Sequence, residues 1–451
     1  VPRPNLLATP FGRLSAFSLL YFGEGLPQGF ATAAVVLEFK RMGMSAEAMG
    51  GFAAAIMAPW AWKWAFGPLV DNLHFPRFGR RTQWVVAMQT GMVATLLAAL
   101  SVLPKEVAAD GSIVGIGLFT TLLIAHNTFA ACQDVAIDAL AVTVLPDDER
   151  GRANGLMFGF AQLGIAVGGS GVIAMKSVFG FTTSSLIVPL CLAGLLTLTV
   201  GWVRETLTPQ DRSGGISQVG AEILDYVRTV AKVFFTTRRG FLGMVLALLP
   251  AGALALSSTL SNVITPTLGM TDDEIAAINA VGSIVFSVAC VAGGLVSDKW
   301  GRRRSLAVFS AATVLPTLWM AWQFTSAGWL HAPPAVAGVW PRAEGLITAW
   351  WIASTAYAVF LGLMYGIRSA LYMDIAEPRI AATQFTASMA LLNVVTMYTY
   401  WWEGKALSTV GEGGWGLTLP QTLYIDCALG LLFLLVLPLL PIGEKSASKA
   451  A

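Results

Sequence analysis

Apolar runs of roughly 20 residues, the length that crosses a hydrocarbon core at 1.5 Å rise per residue, follow one another between short polar or Gly/Pro-marked breaks. Twelve are read near residues 14–37, 47–70, 82–103, 113–143, 152–175, 180–203, 240–268, 274–297, 304–325, 346–373, 379–402 and 420–441. This pattern predicts an all-α membrane protein of twelve transmembrane helices. The longest polar connection, Arg204 to Arg239, contains the loop-like stretch Pro209-Gln-Asp-Arg-Ser-Gly-Gly215 and separates six runs from six. It divides the chain into residues 1–203, a linker 204–239 and residues 240–451. Within the linker, Ile216, Val219, Ile223, Val227, Val230 and Phe234 recur at steps of three and four. Gln218, Glu222, Asp225 and Lys232 take the opposite face, so an amphipathic helix lying on a membrane surface is expected.

Composition removes the soluble alternative: 55% of the 451 residues are hydrophobic and 12% charged, and mean hydropathy is +0.67. Soluble domains carry about 25% charged residues. No water-facing region is large enough to be an enzyme by itself, and a net charge of +2 gives no reason to expect a nucleic-acid partner. Where the charges sit is more informative. Lys and Arg number 20 in the connections on the side of the N-terminus and six on the other side, Lys40, Arg41, Lys105, Lys176, Arg342 and Lys405. The positive-inside rule then places both termini in the cytoplasm, in the inner membrane if the cell is bacterial. The short basic stretch Val1 to Arg13 reads as a cytoplasmic lead-in and not as a cleavable signal. Cys132, Cys191, Cys290 and Cys427 fall in separate apolar runs without metal-ligand spacing, so neither a metal nor another cofactor is expected.

The two halves repeat. Gly67-Pro-Leu-Val-Asp71 with Arg77-Phe-Gly79-Arg80-Arg81 follows the second run, and Gly294-Leu-Val-Ser-Asp298-Lys299-Trp-Gly301-Arg302-Arg303-Arg304 follows the eighth. The two aspartates lie 227 residues apart, about half the chain, as a tandem six-helix duplication requires. Such a glycine can let helices approach closely, and the arginines can pair with acids when a gate shuts. Gly67, Asp71, Arg80, Arg81, Gly294, Asp298, Arg302 and Arg303 are therefore candidate gate residues.

Ionisable groups inside spans are costly and face a cavity or one another. Glu24 lies near mid-membrane between Gly23 and Gly25, and Lys63 follows Pro59 in span two. Span four carries His126, Asn127, Gln133, Asp134 and Asp138, the two acids sharing one face at i and i+4. Counting residues from the span ends puts Lys63, Asp134 and Asp138 all roughly 7 to 13 Å inside the membrane. An ion pair between Lys63 and one or both acids is predicted, either as a fixed salt bridge or as a titratable cluster. In the second half the candidates are Asn262, Tyr365, Arg368, Tyr372, Asp374, Asn393, Tyr398 and Glu403. Arg368 suits an anionic substrate group unless Asp374 pairs with it. Asp426 has no evident partner and is expected to reach the interface.

The Gly-x-x-x-Asp-(Arg/Lys)-x-Gly-Arg-Arg pattern resembles the signature loop of the major facilitator superfamily, nearly complete in the second copy and interrupted in the first by an insertion between Asp71 and Gly79. Tyr21-Phe-Gly-Glu-Gly-Leu-Pro27, Pro59-Trp-Ala-Trp-Lys63, Gln133-Asp-Val-Ala-Ile-Asp138-Ala139 and Ala382-Thr383-Gln384-Phe385 resemble its AmpG-like branch. That branch holds muropeptide permeases, siderophore importers and acetyl-CoA carriers. Leu140-Ala141 departs from the muropeptide pattern, and Glu149-Arg-Gly-Arg-Ala-Asn154-Gly155 looks closer to siderophore importers. The resemblance implies two pseudo-symmetric six-helix halves and alternating access. It also implies proton-coupled import of a bulky amphipathic solute such as a muropeptide or siderophore, with Lys63, Asp134 and Asp138 at the matching buried positions.

Glu24, Gln28, Asn127, Gln133, Asn262, Tyr365 and Arg368 are the candidate substrate-binding residues, and Glu24, Lys63, Asp134 and Asp138 the candidate proton-coupling residues. The expected partners are a small-molecule or glycopeptide solute, protons and the bilayer, with the protein a monomer. Alternatives are a drug or siderophore exporter, or a non-transporting assembly factor for pigment-protein complexes. Nothing resembles a catalytic motif.

Overall fold

The computed structural model describes residues 5–72, 79, 81–107, 113–205, 216–333, 340–375 and 381–441. Among these residues the chain is helical apart from connections and one isolated β-bridge, Val107 with Ile113. In the first half, span one is α1 (Pro10–Gly29), a π-helical turn Phe30–Ala34 and α2 (Val35–Arg41); span two is α3 (Ala46–Ala61) and α4 (Phe66–Asn72). Spans three and four are α5 (Thr82–Ser101) and α6 (Ile116–Val144). Span five is α7 (Asp147–Ala166), a π-helical turn Val167–Gly171 and α8 (Val172–Phe179). The short α9 (Phe181–Ser185) leads into α10 (Ile187–Trp202), span six. The linker helix is α11 (Ile216–Thr236), with Asp225, Val227 and Lys232 exposed and Phe234 buried.

Span seven is α12 (Arg238–Ala247) and α13 (Thr259–Thr267), separated by an unwound stretch. Spans eight to twelve are α14 (Asp272–Trp300), α15 (Arg302–Ser326), α16 (Glu344–Ile375), α17 (Ala381–Leu407) and α18 (Leu419–Val436). The continuous run read over 240–268 is thus corrected to a broken span. Leu249-Pro250-Ala251-Gly252 supplies the cause: Pro250 cannot donate a helical hydrogen bond, and Gly252 has φ of +81°.

Local chemistry sets the ends. The Thr9 and Ser45 hydroxyls accept the amides of Gly12 and Ala48, while Thr271 with Glu274 and Thr418 with Gln421 form capping boxes at α14 and α18. Among the described residues seven helices are long and apolar enough to cross a membrane by length and composition. Spans one, two, four, seven and eleven fall outside that group because each is interrupted or polar. These are also the spans that carry Glu24, Lys63, Asp134, Ser258 and Glu403.

Two seams join the halves, span two against span eleven and span five against span eight. A six-span repeat exchanges these two pairings. Without a hydrophobic drive between helices in lipid, close backbone approach supplies the contact. A Cβ on Gly50 would strike the Tyr400 carbonyl across the first seam. Within the first half, Gly25 and Gly168 bring spans one and five together in the same way.

Candidate functional site

Spans one, two and four assemble a buried charged cluster. On α1, Tyr21, Glu24 and Gln28 follow at steps of three and four and share a face. Pro59 lies in the last turn of α3, which ends at Ala61, and the turn Lys63–Ala65 that follows presents Lys63 at the break. Nζ of Lys63 lies 2.6 Å from Oδ2 of Asp134, both side chains about nine-tenths buried. The pair predicted from depth therefore forms with Asp134. The carboxyl of Glu24, 7% exposed, lies within hydrogen-bonding reach of Asp134. Asp138, one turn toward the N-terminal side, is exposed and accepts from the Tyr21 hydroxyl at 2.6 Å.

Around this core, Lys63 Nζ sits 6.0 Å from the Trp60 ring, and Trp60 Nε1 donates to Asn127 Oδ1 at 2.9 Å. Gln133 is fully buried, and among the described residues neither of its amide atoms has a partner. His126 donates from Nδ1 to the Met92 carbonyl, 3.1 Å away, as a core histidine does.

In the second half the Arg368 guanidinium lies 5.3 Å above the Tyr365 ring, and its buried Nε has no partner among the described residues. The side chain of Asp374 lies outside the described set. Tyr365 meets Phe158 edge-on across the halves, and Phe158 in turn meets Tyr21 at 6.1 Å. Aromatic contacts thus connect the acid cluster to Arg368, and Phe158, which the sequence reading passed over, is the link.

Other candidates are placed differently from expectation. Gln28 is exposed one turn beyond Glu24, while Asn262 is committed to an inter-half bond, its Nδ2 donating to the Thr32 carbonyl at 3.0 Å. Gly67 and Gly294 face open space, so in this conformation neither permits a close helix crossing. Arg81 bonds to Glu205 at the end of span six, and Arg303 to the Leu440 carbonyl at the end of span twelve. The two arginines fasten equivalent corners of their own halves. Arg80 lies outside the described residues, as do the side chains of Asp71 and Asp298; Arg302 is half-buried at the start of α15.

Cations on the side away from the N-terminus bridge the halves instead. Arg41 Nε donates to Asp272 at 2.6 Å, and Lys176 lies 2.5 Å from Glu38 and 3.4 Å from Asp272. Lys405 pairs with Glu47 across the other seam, and Lys40 lies 5.6 Å from the Trp340 ring. A cleft of about 370 Å³ lined in part by Arg41, Asp272 and Trp340 opens on that same face, well away from the buried acids. Asp426 is also corrected: it is 2% exposed and accepts the amides of Leu254 and Ala255 in the unwound stretch.

The Major Facilitator Superfamily model matches residues 14–400. The chain belongs to the major facilitator superfamily. Its relatives include the Rickettsia conorii protein named AmpG 4, 24% identical over 425 residues that cover 89% of this chain and 92% of that one. The anhydromuropeptide permease of Escherichia coli K12 is 26% identical over 157 residues, 35% of this chain and 30% of that one. The solved D-xylose-proton symporter superposes with a TM-score of 0.68 at 12% identity, covering 95% of this chain and 98% of the other. This facilitator is therefore an integral membrane transporter for a small-molecule substrate and not an enzyme, with the twelve-helix fold of the superfamily.

Proposed function

We propose that this facilitator imports a bulky amphipathic solute, of the muropeptide or siderophore kind, by alternating access coupled to protons. One observation carries the reading: among the described residues three carboxyls, Glu24, Asp134 and Asp138, gather around one cation, Lys63. With all three ionised the cluster, two of whose carboxyls are buried and one exposed, is two charges short of neutrality, and proton uptake supplies the balance. Asp138 faces the N-terminal side while ion pairs bridge the halves on the far side, which supports proton and solute release toward the N-terminal side. The asymmetry of 20 basic residues against six supports assigning that side to the cytoplasm, with the chain divided as 1–203, 204–239 and 240–451.

Arg368, raised on Tyr365 and lacking an acid among the described side chains, suits a carboxylate or other anionic group of the solute. Gln133 and Gln28 offer amides to its polar part, and Trp60, Phe158 and Tyr365 offer rings to its apolar part. The permease named for anhydromuropeptides favours that cargo class, while the Glu149–Gly155 stretch favours a siderophore.

The test is accumulation in proteoliposomes under an imposed pH gradient, after a thermal-shift panel of anhydromuropeptides and ferric siderophores has chosen the solute. Glu24→Gln or Asp134→Asn should abolish uphill accumulation and spare exchange at equal pH. Undiminished accumulation with both acids neutralised would sink the coupling.

A further inference from the structure

Glu403 of α17 is 1% exposed, yet no cation among the described residues pairs with it. Its Oε2 lies 2.5 Å from the hydroxyl of Ser258, the residue that caps α13 after the break in span seven. Ser258 Oγ also lies 3.1 Å from the Ala255 carbonyl and accepts the Leu260 amide at 3.1 Å. A serine hydroxyl has one hydrogen, and a carbonyl oxygen can only accept. If that hydrogen goes to Ala255, the short contact to Glu403 needs a hydrogen supplied by the carboxyl itself. A protonated Glu403 gives a hydrogen both to its own contact with Ser258 and to the Ala255 carbonyl; an ionised one leaves Ala255 without the hydroxyl and a bare charge in a buried wall.

The other carboxyl oxygen, Oε1, is buried and has no partner among the described residues. Glu403 borders a cavity of about 10 Å³, room for about one water, whose walls include Ala46, Gly50, Leu260, Val263 and Gly404. Ala46 and Gly50 belong to span two, so the cavity lies on the seam between the halves and would open if the seam parted. The titratable or charged groups on the surrounding elements are Asp426 of α18, Tyr357 of α16, Glu47 of α3, and Lys405 and Tyr400 of α17 itself. Asp426 accepts two backbone amides, and Lys405 is held by Glu47 and the Gly413 carbonyl. The α13 helix contributes no titratable group.

We propose that Glu403 is a second proton-binding site, separate from the Lys63 cluster. It holds a proton while spans two and eleven are sealed on the side away from the N-terminus, and gives it to water when that seam opens. The sealed state then binds one proton more than the open state. Acid on the far side favours sealing, and alkali favours opening. The site acts as a proton-dependent latch whatever the cargo, so its failure would leave the proposed function standing.

Infrared difference spectroscopy of the full chain in nanodiscs reads the protonated carboxyl directly, through a carbonyl band that shifts on deuterium exchange. Glu403→Gln should remove the band, Ser258→Ala should shift it by removing its hydrogen-bond partner, and Glu24→Gln should leave it in place. In parallel, spin labels at Ser101→Cys and Ser326→Cys, on a background lacking the four native cysteines, report the far-side distance against pH. The parent should open as pH rises, and Glu403→Gln should stay sealed throughout. A Glu403→Gln protein that keeps both the band and the parental pH response overturns the proposal.

Discussion

The ring of Phe158 in span five stands edge-on to that of Tyr365 in span ten, their centroids 6.1 Å apart and their planes at 77°. The contact crosses from one half of the facilitator to the other at the level of its charged groups. Its consequences reach Asp138 through Tyr21 on one side and Arg368 on the other. An edge-to-face pair of this kind contributes about 0.5–1.5 kcal/mol beyond its buried area. A double-mutant cycle with Phe158→Leu and Tyr365→Leu, read by thermal unfolding in detergent, should return a coupling in that range. Additive losses would show that the rings are neighbours without interacting.

Lys63 and Asp134 make the sharpest stability prediction, because a buried pair is costly to break and inexpensive to replace whole. Lys63→Met alone should destabilise by about 3–5 kcal/mol, since it strands a carboxylate. Lys63→Met combined with Asp134→Leu should recover most of that loss and still fail to accumulate solute. Unfolding in detergent and gradient-driven uptake measure the two parts separately.

Glycines at the seams should be intolerant where the signature-loop glycines are not. Gly50→Val must displace the Tyr400 backbone and should abolish a monodisperse peak in size-exclusion chromatography. Gly67→Ala and Gly294→Ala, which meet nothing within 4 Å, should elute as the parent does. Loss of folded protein in the latter pair would mean that another conformation uses those glycines for close approach.

Arg41 and Asp272 are partly exposed, at 28% and 24%, so their pair is worth about 1 kcal/mol or less to overall stability. Its larger effect should be on the balance between conformations. Asp272→Arg repels both Arg41 and Lys176 and should favour opening of the far side severalfold, read by alkylation of a cysteine placed at Ser177. Restoring attraction with Arg41→Asp should reverse the change.

The depth argument for Lys63 and Asp134 worked because both residues lie on helices whose ends are set by local apolar length, and axial position along a helix follows from residue count. The same arithmetic says nothing about direction around the axis or about which backbone is broken. It therefore gave Asp426 no partner, because its partners are the amides of Leu254 and Ala255, freed by a break that Pro250 and Gly252 signalled. The residue-number distance between Arg41 and Asp272 likewise left no trace in either local segment.

Membrane insertion reads local properties, the length of an apolar run and the charges beside it, and those determined the twelve spans; the two-fold repeat was legible in the paired loops at Gly67–Asp71 and Gly294–Asp298. Which span touches which is decided later, by backbone approach at glycines and by hydrogen bonds between residues hundreds of positions apart. Lipid offers no hydrophobic gradient that would write those contacts into the pattern. The joining of Phe158 to Tyr365, the far-side ion pairs and the setting of Glu403 were therefore decided only by the tertiary structure.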